Sequence, residues 1–199
     1  MKLEWGYLVG MALQTVPEPR KVARDVQNVD LSRGVLWQIL LFLLVATTML
    51  GVAASLLFPT DPEAFGGLLA NPLITGIAQG AISVLTVFGI YWVGRMAGGT
   101  GSFDQALLTV IWLHFVLLLI EMAILALGLF APAMAMLLWV MGLVLTFWIL
   151  SHFIAEMHGF NNAGMVFVSI ILTLFAAMVV FSIVLAIIGV GIPSDPGEF

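Results

Sequence analysis

The sequence predicts an all-α integral membrane protein, a bundle of five transmembrane helices with a short N-terminal interfacial helix. Three observations carry this: an apolar composition, five uncharged runs separated by polar breaks, and basic residues confined to alternate segments. Of 199 residues, 62% are hydrophobic and only 9% are charged. A soluble domain carries roughly a quarter of its residues charged, so lipid must solvate most of this surface. There is no cysteine, which removes disulfides, thiolate metal sites and cysteine nucleophiles. Leu3–Val16 is apolar, but no small-residue cleavage site follows it, so a secretory signal is not expected.

The uncharged runs place spans at 35–58, 73–94, 106–130, 133–154 and 164–192, with 1–34 as a cytoplasmic or interfacial segment and 193–199 as an outer tail. Each run exceeds the ~20 residues that cross a ~30 Å hydrocarbon layer at 1.5 Å per residue. In lipid each must be helical, since an open strand leaves backbone groups unpaired. The third and fourth are separated only by Ala131-Pro132, a tight turn, because together they are too long for one crossing. Lys2, Arg20, Lys21, Arg24 and Arg33 precede the first span and Arg95 lies in the second loop, whereas the opposite segments carry Asp61, Glu63, Asp195 and Glu198. The positive-inside rule then puts the N-terminus in the cytoplasm and the C-terminus outside.

Ahead of the first span, Trp5, Leu8, Val9, Ala12 and Val16 recur at helical spacing until Pro17 and Pro19. This stretch is too short to span. Either it is only an orientation signal, or it lies in the interface with Arg20, Lys21 and Arg24 facing anionic headgroups.

The loop after the second run reads Gly98-Gly99-Thr100-Gly101-Ser102-Phe103-Asp104-Gln105. No Gly-Lys-Ser/Thr follows, so it is not a phosphate cradle. The spacing predicts a glycine cap on the second helix and a Ser102/Gln105 capping box on the third. The loop before the fifth run, Glu156-Met157-His158-Gly159-Phe160-Asn161-Asn162-Ala163, echoes it: Phe103-Asp104-Gln105-Ala106 against Phe160-Asn161-Asn162-Ala163. A parallel repeat of two helical hairpins is one explanation.

These loops, with Val16-Pro17-Glu18-Pro19 ahead of the first span, resemble the Yip (Ypt-interacting protein) domain family across nearly the whole chain. The resemblance implies a five-helix fold with a cytoplasmic N-terminus. In eukaryotic members it also implies binding to small Rab-type GTPases. The short N-terminal segment is similar to that of the bacterial-type members, which implies the bacterial cytoplasmic (inner) membrane. No catalytic residue is implied.

His114 and Glu121 lie inside the third run, seven residues apart and so on one helix face. An ionised carboxylate there costs at least ~2.5–3.5 kcal/mol. Counting 1.5 Å per residue sets Glu121 level with Gln79, near Thr47 and Thr48, and His114 level with Thr86, Thr146 and Thr173. One reading is a proton or solute path through His114 and Glu121. The other is polar glue, with the Gln79 amide satisfying the acid and the threonines bonding to their own helices.

His152, Glu156 and His158 make an H-x-x-x-E-x-H run, which departs from zincin spacing, so no metal is expected. Gly76-x-x-x-Gly80 is a close-packing face. Trp5, Trp37 and Trp92 fit an aromatic belt, and Trp112, Trp139 and Trp148 are expected in packing. Arg95 and Glu156 leave two helix ends on the same side and are expected to pair, with Asp104 the rival for Arg95.

The functional expectation is a non-enzymatic scaffold or adaptor. It acts through Arg95, Gly98, Gly99, Ser102, Phe103, Glu156, His158 and Phe160, with membrane lipids and a membrane protein as partners. No cofactor and no nucleic acid are expected. A transporter or channel using Glu121 and His114 is the alternative.

Overall fold

The computed structural model describes residues 4–58 and 71–188. Among these, all regular structure is helical: α1 (Trp5–Gln14), α2 (Pro19–Gln27), α3 (Arg33–Leu57), α4 (Pro72–Met96), α5 (Phe103–Phe130), α6 (Pro132–His158) and α7 (Ala163–Ile188). The five expected long helices are present, each long and apolar enough to cross a bilayer. Lys2, Asp61, Glu63, Asp195, Glu198 and the expected outer tail lie outside the described residues.

Local chemistry sets the helix starts. Asn71 accepts the Leu73 N–H at 2.9 Å and Pro72 takes the first turn of α4, where its missing N–H costs nothing. Ala131 alone separates α5 from Pro132 of α6, which forces an antiparallel hairpin.

The N-terminal segment holds two helices, not one. The stretch Pro-Arg-Lys-Val-Ala-Arg-Asp-Val-Gln reads as a charge run. Yet Val22, Ala23 and Val26 fall on one face of α2 and are buried, where α2 packs on α5 and α6. Helical amphipathicity within a short charged window is the signal that hydropathy averaging hides.

Helix α5 is central and packs against α2, α3, α4 and α6, while α7 packs on α6. Val166 is buried in α7, but the apolar window of that helix is otherwise open to lipid. The Gly76 face packs as expected: a β-carbon there would meet Thr48 Oγ1 of α3 at 3.1 Å. Trp139 departs from expectation, since it lies on the lipid-exposed face at 55% exposure, whereas Trp112 is buried.

The core is concentrated at the end of the bundle that carries the bases. Ala106–Leu113 of α5 and Phe153–Ala155 of α6 are all buried. Counting about 20 residues from the opposite helix ends, the thickness of the hydrocarbon layer, reaches Trp37 in α3, Trp92 in α4, Val110 in α5 and His152 in α6. Tryptophans cluster at that level, as expected at a membrane boundary. Beyond it α5 and α6 continue for about two turns, covered by α2 instead of lipid.

Candidate functional site

Two helix ends meet at the basic end, and glycine shapes both. After α4, Gly98 has φ +87°. Its N–H bonds the Arg95 carbonyl at 3.0 Å and the Gly99 N–H bonds that of Gly94 at 2.9 Å, a Schellman motif. After α6, Gly159 has φ +73°, and the Phe160 N–H bonds the Ala155 carbonyl at 2.8 Å. L side chains rarely adopt such backbone, so both positions call for glycine. The expected capping box opens α5: Ser102 Oγ accepts the Gln105 N–H at 3.2 Å and Gln105 Oε1 accepts the Ser102 N–H at 2.9 Å. At α7 the cap is Asn162, whose Oδ1 accepts from Gly164 and Met165. Phe103 is thus the first residue of α5, whereas Phe160 stands ahead of the Asn162 cap. The four-residue echo therefore occupies two different local structures.

His158 locks the loops together. It is buried, its Nδ1 accepts the Gly101 N–H at 3.2 Å, and its Nε2 lies 3.1 Å from the Ile90 carbonyl. A carbonyl only accepts, so these partners assign the neutral ring with its proton on Nε2. The Thr100 N–H reaches the His158 carbonyl at 3.4 Å. Glycines 94, 99 and 101 wall the imidazole. A β-carbon on Gly94 or Gly99 would land on the ring itself, and one on Gly101 would meet Met157 Cγ at 2.7 Å. Phe160 stacks on the ring at 5.5 Å. The glycine-rich loop is a socket, and His158 is what it holds.

Beside it, Phe103 packs among Trp37, Phe88 and Tyr91. The Arg33 guanidinium sits 5.1 Å over its ring and forms a forked pair with Asp104 at 2.6 and 3.2 Å. The N-terminal helices strap this assembly. Arg20 donates to the Phe160 and Asn161 carbonyls at 3.2 and 2.9 Å, and Arg24 pairs with Glu156 at 2.8 Å. Buried Gln27 donates to Thr109 Oγ1 and the Phe153 carbonyl, both at 3.1 Å. Trp112 Nε1 donates to Thr15 Oγ1 at 3.0 Å and Trp148 Nε1 to the Val16 carbonyl at 3.2 Å. At the α1–α2 corner, Lys21 and Gln14 both bond Glu18. The Lys21 hydrogen bond holds the Glu18 carboxyl below its usual range.

The expected Arg95–Glu156 pair does not form, nor does the Arg95–Asp104 rival. Glu156 is taken by Arg24, a base that the unexpected helix α2 brings to α6, and Asp104 by Arg33 at the first position of α3. Among the described residues Arg95 makes no ion pair.

Deep in the bundle the polar partners also differ from expectation. Gln79 donates to Thr47 Oγ1 at 3.2 Å instead of to Glu121. His114 Nε2 lies 2.8 Å from Ser83 Oγ, whose hydroxyl bonds the Gln79 carbonyl. Thr86, Thr146 and Thr173, by contrast, bond their own helices as the glue reading expects. Glu121 is half-buried without a hydrogen-bond partner among the described residues. Equal depth did not mean equal azimuth: helix rotation, invisible in the depth count, chose Ser83. His152, Glu156 and His158 also diverge. His152 Nδ1 bonds the Trp148 carbonyl at 2.8 Å, while the other two go to Arg24 and the glycine socket.

This architecture defines an all-helical, multi-pass integral membrane protein whose loops at one end are fused into a single polar cap. The chain belongs to the Yip1 domain family, which matches residues 13–184, from the end of α1 through both loops into α7. No curated protein and no solved structure matches it.

Proposed function

We propose that the protein is a non-enzymatic membrane scaffold or adaptor of the Yip type. Its basic end faces the cytoplasm, and the setting is the bacterial inner membrane. One observation carries this reading: the polar groups of both loops and of the N-terminal strap are engaged with one another. His158, Arg20, Arg24, Arg33 and Gln27 all hold backbone or side chains of neighbouring segments. Such a surface is preorganised, which lowers the ordering cost of binding a partner. Membrane proteins are the partner class this favours, and family kinship adds a small GTPase to the candidates.

Pull-down mass spectrometry from native membranes tests the proposal, comparing wild type with Gly99→Ala, which disturbs the socket. Partners recovered with wild type and lost with the variant support it. Identical recovery with both, or no partner at all, counts against it. The transport alternative has less behind it, since no hydrogen bond links Glu121 to His114 or Gln79 among the described residues. Proton flux in liposomes carrying the purified protein would revive it.

A further inference from the structure

We propose that the cleft between the α1–α2 corner and α6 seats the phosphate headgroup of an anionic phospholipid. The cleft has a volume of about 330 Å³, with residues Pro17 to Lys21 on one side and Trp148 and His152 on the other. Its level in the membrane is the first argument. Counting about 20 residues from the opposite end of α6 places His152 at the edge of the hydrocarbon layer. Toward the bilayer centre the surface is apolar, with Leu13, Val16 and Trp148 all exposed. Toward the basic end it is cationic, with Arg20 and Lys21 on the rim. An acyl chain below and a phosphate above match that division.

The donors are the second argument. Arg20 uses Nη2 for two backbone carbonyls, which fixes the guanidinium while its Nε and Nη1 protons, without a partner among the described residues, are left for a phosphate. The Lys21 ammonium bonds Glu18 and keeps two further protons. His152 bonds the Trp148 carbonyl through Nδ1, so Nε2 of the neutral ring is an acceptor, and His152 shapes the cleft wall without donating to the phosphate. Glu18 is the opposing charge on the rim, and it is already occupied by Lys21 and Gln14. Two cations against one carboxylate favour an anionic lipid over a zwitterionic one. Pro17 and Pro19 stiffen the rim, so little has to be ordered on binding.

Free phosphate shares the headgroup chemistry, and the apolar floor is what argues for the lipid. The test uses the full chain in detergent, with native mass spectrometry reading retained phosphatidylglycerol or phosphatidylcholine, each with and without inorganic phosphate. Wild type should retain phosphatidylglycerol preferentially. Lys21→Gln should weaken that retention about fivefold, the worth of one cation near a charged membrane surface. Arg95→Gln, which removes a base at the same end but outside the cleft, should change nothing. Arg20 is kept because it also ties Phe160 and Asn161. Equal retention of the two lipids, an equal loss with Arg95→Gln, or displacement by inorganic phosphate alone would each overturn the proposal.

Discussion

Gly99 shows how much one hydrogen atom decides. Its missing β-carbon leaves room for the His158 ring, which two hydrogen bonds prevent from swinging aside. Gly99→Ala should cost on the order of 1–3 kcal/mol, the usual penalty of overpacking, read as a lower melting temperature in detergent. In the double variant with His158→Gly the two losses should be less than additive, because the ring and the β-carbon that the new methyl would meet are both gone. Full additivity would mean that the loop does not close on this ring. Gly98→Ala tests something else. There is open space at that position but φ is +87°, so ~1–2 kcal/mol of backbone strain is expected whatever occupies residue 158. Glu121 makes the contrasting case. Gln79 bonds Thr47 instead, so Glu121→Leu strands no amide, and its melting temperature should match or exceed that of wild type. Marked destabilisation would reveal a partner for the acid.

The strap helix α2 has two kinds of attachment, and they should separate by experiment. The Arg24–Glu156 pair is largely open to solvent on the Arg24 side, and such pairs are worth ~0–1 kcal/mol. Gln27 is buried with two hydrogen bonds, each contributing about 0.5–1.5 kcal/mol. Limited proteolysis between residues 14 and 30 should therefore accelerate strongly in Gln27→Ala and little in Arg24→Ala, and the reverse order would reassign the anchor. Acid should loosen the corner at Glu18. Because its carboxyl is held below the usual range by Lys21, that contribution is present at neutral pH and is lost only as pH falls through the lowered value. Lowering the pH from 7 to 6 should leave the corner intact. The strap was half legible in sequence: the α1 periodicity and Pro17/Pro19 were visible, but α2 was hidden by four charges in nine residues.

At the scale of the molecule the decisive quantity is orientation. A reporter active only outside the cytoplasm should be silent when fused after Gly99 and active when fused after Gly197, and equal activity at both sites would end the five-span arrangement. The bundle is asymmetric along its axis. The basic end is tightly packed and strapped, while α7 and the opposite halves of the other spans lie mostly open to lipid. Loosening the basic end should therefore lower stability more than equal truncations on α7.

Hydropathy, helix length and breakers determined the span count and most helix ends without tertiary information, because a bilayer leaves a chain few options: helical, apolar, about 20 residues per crossing. The glycine cap at Gly98 and the Ser102 box were legible for the same reason, being local. Only the tertiary structure decided which residues meet. The pairing of Glu156 with Arg24, of His114 with Ser83, and of His158 with the Gly94–Gly101 socket depends on helix rotation and on a strap that crosses the end of the bundle. Residue spacing fixes depth along a helix axis, but the direction a side chain takes around that axis is set by neighbours from distant parts of the chain.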